Sequence, residues 1–140
     1  CLQFNPIIGE VERNQKFASK LLERFTARPN LRVMFLPPLK TLSIRLFNIL
    51  NNIRRFRPND FDILVLPEMA FTGYVFKNKK HIEPFLEDAE AGTTVQWAKN
   101  QAMRLHAFVM VGYPQIVKGN PDKFYNSVCF VGPDGELIDT

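Results

Sequence analysis

Apolar and polar positions along the chain alternate between two periods. Val11, Asn14, Phe17, Ala18, Leu21, Leu22 and Phe25 recur at helical spacing, with Glu12, Arg13, Lys16, Lys20, Glu23 and Arg24 mostly opposite. That pattern predicts a covering helix with one buried face. Ahead of it, Leu2 to Phe4 followed by Asn5-Pro6 reads as a short strand ending in a turn, with Gly9 separating it from the helix. Ile63 to Leu66 and Phe108 to Val111 are aliphatic or aromatic without polar alternation. Both are expected to be strands covered on two faces. Between them, Thr93 or Thr94 can cap a helix that carries Val95, Ala98, Ala102 and Leu105 on one face, with Trp97 and Gln101 beside it. Lys77 to Lys80 reads as a solvated loop, and Pro84 to Gly92 as an acidic loop or short helix. Phe124 to Val131, the tetrad Gly132-Pro-Asp-Gly135 and Glu136 to Asp139 read as a hairpin. Helices and strands that alternate first and end in a hairpin predict an α/β layer with a mixed β-sheet.

The pattern loosens between Ala27 and Asn59. Leu39, Leu42, Leu46, Ile49, Leu50 and Ile53 form a stripe at helical spacing among Lys40, Arg45, Arg54 and Arg55. A basic amphipathic helix and a surface insertion both fit that stripe. Pro37, Pro38 and the nearby charges rule against a bilayer span.

Composition narrows the class. With 140 residues, 46% hydrophobic content and thirteen Phe, the chain suits one globular domain or part of one. A net charge of +4 is modest and gathered in the first sixty residues, so neither a nucleic-acid partner nor a membrane is expected. Two cysteines, Cys1 and Cys129, make no disulfide framework and suit a reducing compartment such as the cytoplasm. The chain opens on Cys1 and closes on Thr140 inside extended patterns, so a fragment truncated at both ends is expected.

Glu68 is the leading candidate for chemistry. Pro67 cannot donate to a sheet ladder and holds Leu66 extended, which sets Glu68 at the C-terminal rim of a strand. Binding crevices form at such rims in layered α/β folds. Burial beside the apolar run is expected to raise its pKa and suit it to general-base work. A helix-capping acid, or a partner for Lys or Arg, is the competing reading. Cys129 falls on one face of an alternating strand with Tyr125, Ser127 and Val131, and a hairpin follows. It is expected to be a buried structural thiol, since no strand-to-helix elbow exposes it. His81 and His106 have no further ligand at metal spacing, so no metal site is expected.

Leu66-Pro-Glu-Met-Ala-Phe-Thr-Gly-Tyr74 resembles the glutamate motif of the nitrilase (carbon-nitrogen hydrolase) superfamily. Leu2-Gln-Phe-Asn-Pro6 with Gly9 and Asn14, Val111-Gly-Tyr-Pro114, and Tyr125-Asn-Ser127 with Gly132 to Glu136 resemble the superfamily's other segments, in order. Within it, Phe71 to Phe76 and Tyr113-Pro114 look most like the fungal-type protein N-terminal amidases, which deamidate N-terminal Asn and Gln for the N-degron pathway. The resemblance implies the N-terminal part of an αββα sandwich and a Glu-Lys-Cys catalytic set, without a cofactor. Glu68 matches the glutamate, as general base and acid; the lysine and cysteine are expected beyond Thr140, so residues 1–140 alone are expected to be inactive. Tyr74 is expected in the substrate pocket. Substrates are then N-terminal Asn or Gln of proteins, with a small amide, as in an ω-amidase or carbamoylase, as the alternative; a non-catalytic binding module and a homodimer stay open. Residues 27–59 are expected to be an insertion relative to the family, or non-coding sequence carried into the translation.

Overall fold

The computed structural model of the protein describes residues 2, 4–24 and 56–140. Its elements run α1 (Val11–Arg24), β1 (Ile63–Val65), a single helical turn α2 (Lys79–Ile82), a 3₁₀ turn (Glu83–Phe85), α3 (Thr93–Leu105), β2 (Phe108–Val117), β3 (Lys123–Val131) and β4 (Leu137–Asp139). The strands form one sheet in the order β1-β2-β3-β4. β1 runs parallel to β2, with Leu64 opposite Val109, and the other two pairings are antiparallel. α3 lies in the crossover that a parallel pair requires. The expected α/β class with a mixed sheet is what the chain adopts. The stripe from Leu39 to Ile53, and all of the expected insertion at 27–59 except its last four residues, lies outside the described residues.

One face of the sheet carries the core. Val109, Val111 and Tyr113 of β2 and Cys129 and Val131 of β3 are buried with Ala18 and Leu22 of α1 and with Val95, Ala98, Ala102 and Leu105 of α3. Each buried Val or Leu among them contributes about 1.5–3 kcal/mol. Phe71 packs edge-on against Trp97 with ring centroids 4.9 Å apart, and Trp97 Nε1 donates to Ser19 Oγ at 2.9 Å, which joins α3 to α1.

The opposite face corrects one expectation. Ile63, Phe108 and Val128 are exposed, and Val65 and Met110 are only half-buried. Within residues 1–140, β1 and the start of β2 are thus covered on one face, because α1 and α3 contribute to a single core. Phe108 stacks on Phe130 across that open face, centroids 5.4 Å apart. A second correction concerns the start of α3. Its N-cap is Gly92, without a side-chain cap bond. The buried carboxylate of Glu87 does the capping instead, accepting from Thr94 N and Thr94 Oγ1, both at 2.7 Å. Burial raises the Glu87 pKa, against the donors that favour its charged form. The expected strand at the N-terminus falls partly on residues outside those described; of it, Leu2 N donates to Val65 O at 2.9 Å alongside β1. β2 also continues past Pro114 to Val117, further than the sequence indicates.

Candidate active site

The segment after β1 stays tied to β2 although it leaves the ladder. Leu66 N donates to Met110 O at 2.9 Å; Pro67 has no N–H to give; Ala70 N then donates to Gly112 O at 3.1 Å. Glu68 lies between these two bonds, directly over Gly112. A Cβ on Gly112 would stand 2.6 Å from Glu68 Cα and 2.9 Å from Pro67 O, so only a glycine admits the glutamate backbone here. Met69 turns the chain with a φ of +47°. The turn closes where Gly73 N meets Met69 O at 3.1 Å.

The N-terminal segment straps this turn down. Asn14, buried on α1, accepts from Ile7 N at 3.0 Å and donates to Ile7 O and Phe71 O, both at 2.7 Å. One amide therefore satisfies three backbone groups across two loops. Gly9 N adds a bond to Thr72 O at 2.9 Å, and Gly73, at φ +80°, lets Ile8 approach where a side chain would meet its Cα at 3.1 Å.

Two neutral side chains hold the Glu68 carboxylate. The Tyr74 hydroxyl donates to Oε2 at 2.6 Å, and the Asn126 side-chain amide, reaching in from β3, donates to Oε1. Glu68 itself is exposed. Its pKa lies below the ordinary carboxylate range, chiefly because the Tyr74 hydroxyl and then the Asn126 amide stabilise the charged form; desolvation opposes them weakly. The expected upward shift is thereby corrected. The apolar run that precedes Glu68 in sequence does not enclose its side chain, and donors outweigh burial. The same contact raises the pKa of Tyr74, whose hydroxyl gives up a bond to a negative charge on ionising.

The other residues weighed for chemistry lie elsewhere. Cys129 is buried with its thiol 3.5 Å from Val111 O, and burial pushes its pKa up to about 11, which suits a structural thiol and not a nucleophile. His81 accepts from Lys77 N at its Nδ1 in an exposed turn, and His106 is the left-handed C-cap of α3. Cys1 lies outside the described residues. Among the described residues no group of three His, Cys, Asp or Glu is arranged to hold a metal ion, and no helix is long and apolar enough to cross a membrane. Asn126 and Gly112 are the participants that sequence reasoning did not single out. A lone glycine inside a strand pattern does signal a close backbone approach, but not to which segment.

The family model described as carbon-nitrogen hydrolase matches residues 3–140. The protein N-terminal amidase of Schizosaccharomyces pombe is 26% identical over 141 residues, covering 99% of this chain and 39% of that protein. That of Saccharomyces cerevisiae is 27% identical over 137 residues, covering 98% and 24%. A crystal structure of an N-terminal amidase superposes with a TM-score of 0.64 at 26% identity, over 99% of this chain and 25% of the other. The chain thus spans between a quarter and two fifths of the length of these relatives.

Proposed function

The chain belongs to the carbon-nitrogen hydrolase family, and from that premise we propose that the whole protein is an amidase that deamidates N-terminal Asn and Gln of other proteins. The observation that carries this reading is Glu68: a carboxylate on a strand rim, held by Tyr74 and Asn126, whose backbone crosses close over Gly112. Crystal structures of an N-terminal amidase with Gln-Val and Asn-Glu peptides support the substrate class.

In this reading Glu68 takes the proton of a cysteine thiol that lies beyond Thr140. The thiolate forms a bond to the side-chain amide carbon, and the resulting oxyanion is held by a lysine, also beyond Thr140. Collapse breaks the carbon–nitrogen bond as protonated Glu68 returns its proton to the departing nitrogen, which leaves as ammonia. Water then attacks the thioester, giving Glu68 a proton that passes back to the thiolate. The substrate is left with Asp or Glu at its N-terminus, a change that suits an N-degron role in the cytoplasm. Residues 1–140 supply only the glutamate of this set. Glu68→Gln in the full-length protein should keep the fold, since a glutamine amide accepts from Asn126 and donates to Tyr74, and should abolish ammonia release from Asn- and Gln-initiated peptides. Full activity of that variant defeats the role of Glu68; turnover of free small amides in preference to peptides defeats the substrate class.

A further inference from the structure

Two donors of different chemistry grip the Glu68 carboxylate, Tyr74 at Oε2 and Asn126 at Oε1. A hydroxyl both donates and accepts, whereas an amide nitrogen only donates. A proton on Oε1 would leave Asn126 facing a carboxylic hydroxyl oxygen, a poor acceptor. On Oε2 it leaves Asn126 on the remaining carbonyl oxygen, and the Tyr74 hydroxyl is able to turn and accept. We propose that Tyr74 and Asn126 are positioning residues that divide the carboxylate between them: Asn126 keeps Oε1 a permanent acceptor, and Tyr74 accompanies the proton that Glu68 carries on Oε2.

This rests on Glu68 being the base. The contacts join segments 58 residues apart in sequence for Asn126 and six apart for Tyr74, so the carboxylate is pinned both to the sheet and to its own loop. Neither donor is charged, and no ion pair with Glu68 occurs among the described residues. A lysine or arginine would hold the carboxylate ionised through the whole cycle; neutral donors let it gain and lose a proton without stranding a charge. Neither Tyr74 nor Asn126 belongs to the hydrophobic core of residues 1–140, so their substitution removes a contact to Glu68 and leaves that core filled. In the proposed cycle the S–H bond breaks as O–H forms at Oε2, and that O–H breaks as N–H forms on the departing ammonia. Throughout, Asn126 stays on Oε1 and the carboxyl plane is unchanged.

The test uses Tyr74→Phe and Asn126→Ala in the full-length protein, with Glu68→Gln alongside. Both donors lower the Glu68 pKa. Each substitution should therefore move the acid limb of kcat/KM for ammonia release to higher pH, and should move the Glu68 side-chain carboxyl titration, followed by carbon-detected NMR, the same way. kcat should fall about ten- to a hundredfold as the base loses its orientation, with KM changed less. A Glu68 titration and acid limb that stay as in the wild type in both variants overturn the proposal, as does a rise in KM alone, which would make Tyr74 a substrate contact. The two readings fail separately: an active Glu68→Gln protein removes the base itself, whereas an inactive one with unmoved limbs in the other variants removes only the positioning roles.

Discussion

Gly112→Ala is the sharpest test of how the fold places the glutamate. The added Cβ would lie 2.6 Å from Glu68 Cα, 2.9 Å from Pro67 O and 3.1 Å from Glu68 N. Ordinary carbon–carbon contact is roughly 3.5–4.0 Å, so the first of these is about 1 Å too close. All three neighbours are backbone, and no rotamer change relieves them. The loop must lift, and it is held by Leu66 N on Met110 O before Glu68 and Ala70 N on Gly112 O after it. Overpacking of this kind costs about 1–3 kcal/mol. A lift of about 1 Å moves the carboxylate enough to reduce kcat about a hundredfold. Gly119→Ala is the control, because the nearest atom to its Cβ is Pro121 O at 3.4 Å. Urea unfolding and ammonia release on the full-length protein measure both effects. If Gly112→Ala matches the control in stability and rate, the close crossing of Glu68 over β2 is wrong.

Three further outcomes follow from the contacts. Asn14→Ala leaves Ile7 N, Ile7 O and Phe71 O without their partner and should cost about 1–3 kcal/mol by denaturant unfolding, with activity lost in parallel. Glu87 has a raised folded pKa, so between its unfolded and folded values the native state binds the extra proton and stability falls as pH rises through that window; Glu87→Gln should flatten this slope in a pH series of melting curves, and an unchanged slope assigns it to another group. Cys129→Ala should retain activity within about threefold, and native-state alkylation mapped by mass spectrometry should spare Cys129 until the protein unfolds, given a thiol pKa of about 11.

Much of this arrangement was readable one segment at a time. The 3.6-residue spacing of Ala18 and Leu22 and of Val95, Ala98, Ala102 and Leu105 marked the buried helix faces, although Phe17, counted on the same stripe, is 46% exposed. Pro67 closing an apolar run marked the strand rim and so located Glu68. What escaped depends on contacts between distant segments. An apolar run such as Ile63 to Leu66 reads alike whether one face or two are covered, and the observed strand buries Leu64 while Ile63 is exposed. Thr93 and Thr94 looked like caps because local spacing cannot show that the carboxylate of Glu87 arrives first. The Glu68 pKa was expected to move upward because its neighbours in sequence are apolar; its neighbours in space are a hydroxyl and an amide, one of them on β3.

The straps around Asn14 make the glutamate turn a joint property of α1 and the sheet. Leu2 bonds to Val65, Gly9 to Thr72, and Asn14 to Phe71, so α1 and the glutamate turn are registered against each other directly. On the far side Phe56 N meets Leu22 O at 3.5 Å and Asn59 N meets Leu105 O at 3.0 Å, which returns the chain to the same core before β1 begins. The position of Glu68 is therefore set from both sides by backbone contacts among the described residues. A change at Asn14, Gly73 or Gly112 therefore reaches the carboxylate through the backbone of the turn, without touching the carboxylate itself.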